Sequence, residues 1–172
     1  MKTFFDTDRT ESAKTWFYRK LFNLFPSYRR GGGRVAFFAS DFKEIHVKIG
    51  LNLFTRNYVG SVFGGSIFAA LDPIYMFLFI QVLGKNYVVW DKNAKVKFIR
   101  PITKSVYARF VLTDELIEQV KQEVAKSGEY LIEMPASFVD QDGVAYATVT
   151  KELYIADKVF FKNKQAQKKL QG

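Results

Sequence analysis

One carboxylate, Asp72, interrupts a segment that is otherwise apolar on every side, and a glycine pair, Gly64-Gly65, opens that segment. Between Ile67 and Leu83 fourteen of seventeen residues are hydrophobic, the exceptions being Asp72, Pro73 and Gln81. A helix apolar all round is either buried or membrane-embedded. An ionised carboxylate inside it is costly unless it is hydrogen-bonded or faces a wet cleft. Pro73 lacks a backbone N–H and breaks the helical ladder beside Asp72, which frees carbonyls there.

The elements around this segment must position it. Residues from about Glu11 to Phe25 read as an amphipathic helix with Phe17, Leu21, Leu24 and Phe25 on one face, ending at Pro26. A loop follows from Ser27 to Arg34, then two strands, Val35–Ala39 and Lys43–Leu51. In the second, Ile45, Val47, Ile49 and Leu51 alternate with Glu44, His46 and Lys48, which predicts a half-buried strand with His46 on the solvent side. Beyond Gly84, alternation returns in Ala94, Val96 and Phe98, and again in Val106, Ala108, Phe110 and Leu112. Thr113-Asp114-Glu115 reads as a capped, acidic helix start whose inner face is Leu116, Ile117, Val120 and Val124, closed by Gly128. Two long strands, about Glu129–Val139 and Val144–Ile155, meet through Asp140-Gln141-Asp142-Gly143, a hairpin signal. The lysine-rich stretch after them, 158–172, is expected to fray. The organisation is thus an N-terminal helix and loop over residues 1–34, one domain over 35–157, and a basic tail. That domain is α+β, an antiparallel sheet of about six strands wrapped around a long apolar helix.

Composition narrows the chemistry. With 172 residues, 48% of them hydrophobic, the chain can bury a real core. The absence of cysteine removes disulfides, thiolate metal sites and cysteine nucleophiles, and the lone His46 leaves no histidine metal cluster. A serine–histidine triad would have to use that one ring. Acidic residues near the N-terminus argue against a secretory signal, so a cytoplasmic address is expected. The net charge of +9 admits nucleic acid, anionic membrane or a phosphate-bearing small molecule as partner.

An antiparallel sheet around a glycine-initiated apolar helix resembles the hotdog fold. The stretch from Asn57 to Asp72 resembles the phenylacetyl-CoA thioesterase branch of hotdog acyl-CoA thioesterases. That branch carries an Asn before a Gly, then His-Gly-Gly, then an Asp on the helix that follows. Asn57, Gly60, Phe63-Gly64-Gly65 and Asp72 stand at those places, and Lys97 to Pro101 resembles the strand ending in Phe-x-Arg-Pro. Phe63 replaces the branch's histidine, and Asp91 stands where relatives often have Ser or Thr. Both departures bear on catalysis and not on the fold.

The resemblance implies thioester hydrolysis, with acyl-CoA as substrate and no separate cofactor or metal. Hydrolysis needs a donor that polarises the carbonyl and a group that activates water or attacks directly. The N–H of Gly65, in an unpaired first turn, suits the first role, and Asp72 the second as base or nucleophile. Asn57 would hold the attacking water, as the resemblance implies. Gly64, Phe63, Phe68, Met76, Asp91 and Arg100 complete the expected substrate site. Seven residues of helix separate Gly65 from Asp72 by about 10 Å, so one thioester carbon cannot touch both within one chain. Two such helices antiparallel across a twofold would bring them together, which predicts a homodimer or a dimer of dimers.

Plainer readings stand beside these. Tyr75 or Arg100 could satisfy Asp72, the glycine pair could serve tight helix entry, Asn57 could cap a loop, and Asp91 could be a strand-edge ion pair. Arg100 is as well suited to a structural place as to a CoA phosphate, with Lys95, Lys97 and Lys104 as further basic candidates. A non-catalytic acyl-binding protein of the same fold, with Phe63 filling the reaction space, is the rival function. Nucleic-acid binding rests only on charge and the Arg29–Arg34 loop, with no reading module. A membrane span of Ile67–Leu83 would place Asp72 at its centre, at about 3 kcal/mol on insertion scales, and the flanking amphipathic strands favour burial inside a sheet instead.

Overall fold

The structure, a computed structural model, describes residues 6–170. The chain begins with α1 (Ala13–Leu24) and α2 (Pro26–Gly31), then β1 (Arg34–Phe38) and β2 (Glu44–Ile49). The apolar segment forms α3 (Gly64–Leu71) and α4 (Ile74–Leu83), and β3 (Tyr87–Phe98), β4 (Val106–Val111) and α5 (Asp114–Ser127) follow. The hairpin β5 (Glu129–Val139) and β6 (Ala145–Asp157) leads into α6 (Lys158–Leu170). All strand pairs are antiparallel in one six-stranded sheet of order β1-β2-β4-β5-β6-β3. This is the hotdog plan, with the α3–α4 rod held against the sheet.

Local chemistry accounts for these elements. Ser12 caps α1 by accepting from the Thr15 amide, with the reciprocal Thr15 bond closing a capping box. Thr113 caps α5, and Gly128 ends it in the left-handed conformation that favours glycine. The α3–α4 rod buries Leu71, Ile74, Leu78 and Phe79 completely against the inward rows of β2, β4, β5 and β6. Each such side chain contributes about 1.5–3 kcal/mol by leaving water. Gly64–Leu83 is long and apolar enough to cross a membrane, with mean hydropathy 1.8, and half of that stretch is buried within the protein.

Gly33 sets how closely β1 approaches the rod. A Cβ on it would stand 2.8 Å from the Ala70 Cα, and one on Gly31 would stand 2.7 Å from the Ala69 Cβ. Only a bare backbone fits between α2 and α3.

Several expectations change. The first helix ends before Pro26 as expected, but the stretch after it, expected as a loop, is helical to Gly31: Pro26 opens α2 as its first residue, where its missing N–H costs nothing. The apolar face of α1 is outward: Phe17, Leu21, Leu24 and Phe25 are exposed, and Tyr18 and Phe22 make the inner contacts, edge-on to Phe77. His46 does lie on the polar face of β2, yet it is only 5% exposed, because Glu44 beside it gathers Arg9 and Thr7 from the N-terminal segment over that face. Residues 158–170, expected to fray, form α6; Phe161 packs on Trp90, and Lys164 pairs with Glu129 at 2.5 Å. Residues 171 and 172 lie outside the described residues.

Candidate active site

Asp72 and Pro73 fall at the break between α3 and α4. Proline there offers no donor, and Tyr28, reaching from α2, gives its hydroxyl to the Ala70 carbonyl at 2.9 Å. The break turns Asp72 to the side of the rod, leaving its side chain 47% exposed. The expected partners do not take it: Tyr75 donates to the Pro135 carbonyl at 2.7 Å, and Arg100 stacks over Tyr146.

Lys151 of β6 is the partner. Its Nζ donates to Asp72 Oδ1 at 2.8 Å and lies 3.0 Å from Asp91 Oδ2. The lysine side chain is 1% exposed, and its ammonium sits over the Phe68 ring at 5.6 Å. One buried cation thus joins two carboxylates, leaving the three groups one negative charge in excess. Asp91 arrives through a β-bulge: the β3–β6 register slips between Asp91 and Asn93, so Asp91 and Ala94 both lie on the inner row. Among the described residues, Asp91 Oδ1 is buried without a hydrogen-bond partner. Burial pushes the Asp91 carboxyl above its ordinary range, Lys151 opposes that, and the nearby charge of Asp72 adds to it.

Lys151 is the site residue that sequence reading missed. Its signal was present: Ala147, Val149, Lys151, Leu153 and Ile155 form one inward row, and a lysine there must find carboxylates.

Four of the predicted residues, Asp72, Asn57, Gly64 and Arg100, line two separate cavities. One, of about 430 Å³, runs between α1, α2 and the rod, walled by Tyr18, Phe22, Phe77 and Pro73, with Asp72 on its lining. Its size and apolar walls suit a small acyl group. The other, of about 400 Å³, collects Asn57, Gly64, Phe98 and Arg100 at the opposite end of α3. Asn57 spends its side chain on its own turn: the carbonyl accepts from the Val59 and Ser61 amides, and the amide donates to Ser61 Oγ at 2.9 Å. Gly64 and Gly65 have no intrahelical acceptor for their first-turn amides. The exposed Phe63 ring lies against Gly65, where a Cβ would stand 2.4 Å from its Cε1. Met76 is packed half-buried against the core.

The arrangement offers a carboxylate that lines an apolar cavity with one oxygen tethered, and a donor pair at the far end of the same helix.

The family described as a domain of unknown function, DUF4442, matches residues 17–155. No curated protein sequence matches the chain. Among solved structures it is similar to a Pseudomonas aeruginosa protein of unknown function described as a probable thioesterase. That likeness has TM-score 0.73 and 17% identity, covering 83% of this chain and 95% of that one. It is also similar to a Haemophilus influenzae thioesterase (TM-score 0.60, 12% identity, 88% and 96% covered) and to mouse thioesterase superfamily member 2 (TM-score 0.60, 11% identity, 84% and 98% covered). At these identities the likeness is one of fold.

Proposed function

The chain belongs to the DUF4442 family, and from that premise we propose that it hydrolyses thioesters of acyl-CoA or an acyl carrier. The observation that carries this reading is the Asp72–Lys151–Asp91 cluster, whose Asp72 lines an apolar cavity of about 430 Å³. The acyl chain would lie along Tyr18, Phe22 and Phe77, with the thioester at Asp72. Asp72 Oδ2, which has no bond within the described residues, would take a proton from water as the water oxygen attacks the carbonyl carbon. The carbon–sulfur bond then breaks, and the thiolate leaves to be protonated by solvent. Lys151 holds Asp72 oriented through its hydrogen bond to Oδ1, so it is a positioning residue. The Gly65 N–H of a second subunit would stabilise the oxyanion, which makes the working unit a homodimer; losing such a donor costs roughly 100- to 1,000-fold in rate. The cytoplasmic address belongs to the same proposal.

A panel of acyl-CoAs tests it, with released CoA read by a thiol reagent. Because the protein has no cysteine, the reagent reports product alone. Turnover by the wild type that is lost in Asp72→Ala supports the reading. Saturable acyl-CoA binding without turnover supports the non-catalytic alternative instead, which the Phe63 ring over Gly65 favours.

A further inference from the structure

The apolar stripe of α1 faces solvent, with Phe17 61% exposed, and Phe54 of the 52–55 turn, 88% exposed, meets the end of that stripe at Leu24. Leu24 and Phe54 line a third cavity, of about 940 Å³, whose other walls carry Arg29, Arg30 and Arg34. No carboxylate lines this cavity. Among the described residues none of the three guanidinium groups is paired with one. Lys20 adds a fourth cation on the exposed side of α1, over the ring of Trp16 at 5.3 Å. Uncovered apolar side chains and cations without counter-ions therefore share one face.

The geometry points to docking of this face on an anionic lipid bilayer. Aromatic and aliphatic side chains enter the boundary between headgroups and acyl chains, while arginines meet lipid phosphates and Trp16 sits at headgroup level. A second copy of the chain is the poorer occupant. A twofold contact would set Arg29, Arg30 and Arg34 against their own images, with no carboxylate in the cavity to answer them. Nucleic acid would use the cations and leave Phe17, Leu24 and Phe54 in water. Leu21 and Phe25 border the neighbouring cavity that contains Asp72, so docking would bring that cavity to the lipid surface.

The test is co-sedimentation of the full chain with phosphatidylcholine vesicles, with and without phosphatidylglycerol. Binding is expected only with the anionic lipid, accompanied by a blue shift of Trp16 fluorescence in a Trp90→Phe background. Combining Arg29→Ala, Arg30→Ala and Arg34→Ala is expected to weaken partitioning on the order of 100-fold. Phe17→Ser with Phe54→Ser is expected to abolish the blue shift while circular dichroism stays unchanged, since both positions are exposed. Three results would overturn the inference: no sedimentation, equal binding to neutral vesicles, or a solution dimer that Phe17→Ser with Phe54→Ser dissociates. None of these readouts involves thioester turnover.

Discussion

Glu44 and Asp91 are carboxylates enclosed by the same sheet, Glu44 on its outer face and Asp91 on its inner one. Glu44 is fully satisfied. Its Oε1 accepts from His46 Nε2 and Arg109 Nε, both at 2.6 Å, and its Oε2 from Arg9 Nη1 at 2.8 Å and Thr7 Oγ1 at 3.0 Å. Burial alone would push Glu44 upward, yet bonds from Arg109, His46, Arg9 and Thr7 outweigh it and hold the carboxyl at about 2. Asp91 shares its one cation with Asp72, keeps an oxygen unpaired, and is pushed up by burial. A saturated polar network fixes a structure. An under-satisfied one beside a cavity keeps capacity for a substrate. The difference separates a clasp from the proposed reaction site.

Glu44→Gln strikes the clasp. The amide turns a donor toward Arg9 or Arg109, and the lost charge leaves these half-buried cations without their partner, so a stability loss of about 3 kcal/mol is expected in urea unfolding. Turnover per folded molecule should remain within a few-fold of wild type. Comparable losses of stability and specific activity would erase the distinction.

Lys151→Met strikes the other centre. Asp72 is half-open to solvent, so the stability loss should be smaller, about 2 kcal/mol, while turnover falls steeply. The loss should shrink on acidification, because protonating Asp91 relieves its repulsion by the neighbouring Asp72. A loss that grows toward acid would refute this assignment.

Gly33→Ala calibrates both, since it touches neither carboxylate. Its Cβ would meet the Ala70 backbone, for an expected cost of about 1–2 kcal/mol. That cost should not vary with pH.

The smallest effect is the pH slope. His46 is lowered by burial against the opposing pull of Glu44, and Glu44 is lowered to about 2. For both, the unfolded chain binds more protons, so their stabilisation is complete above about 6.5. It is lost on acidification, first through His46 and then through Glu44 as pH falls below 4.5 toward 2. Asp91 runs the other way: its contribution is present below 3.8 and lost as pH rises through its raised folded value. Urea midpoints measured from neutral pH to pH 3 should therefore fall in wild type, and in Glu44→Gln the part of the slope below 4.5 should flatten.

The two centres also differ in how far the chain reveals them. Alternation located the strands, and the Asp-Gly turn located the β5–β6 hairpin, because inward rows and turn chemistry are local. The apolar segment around Asp72 announced the rod for the same reason. Apart from His46, two residues from Glu44, the partners that define the two centres were not local. Arg9 reaches Glu44 across 35 residues and Lys151 reaches Asp72 across 79, contacts set by register and by a bulge that no short window contains. The face of α1 was misjudged because hydrophobicity gives a stripe without saying what covers it. The lysines of α6 hid a helix that Phe161, Trp90 and the Lys164–Glu129 pair hold in place.

The central claim meets its most direct test in the rate of acyl-CoA hydrolysis by Asp72→Asn, measured beside its thermal melt. The account predicts a fall on the order of 100- to 10,000-fold, with a cooperative melt at or above the wild-type temperature, since the neutral amide still accepts from Lys151. A rate within threefold of wild type in that folded variant would contradict it.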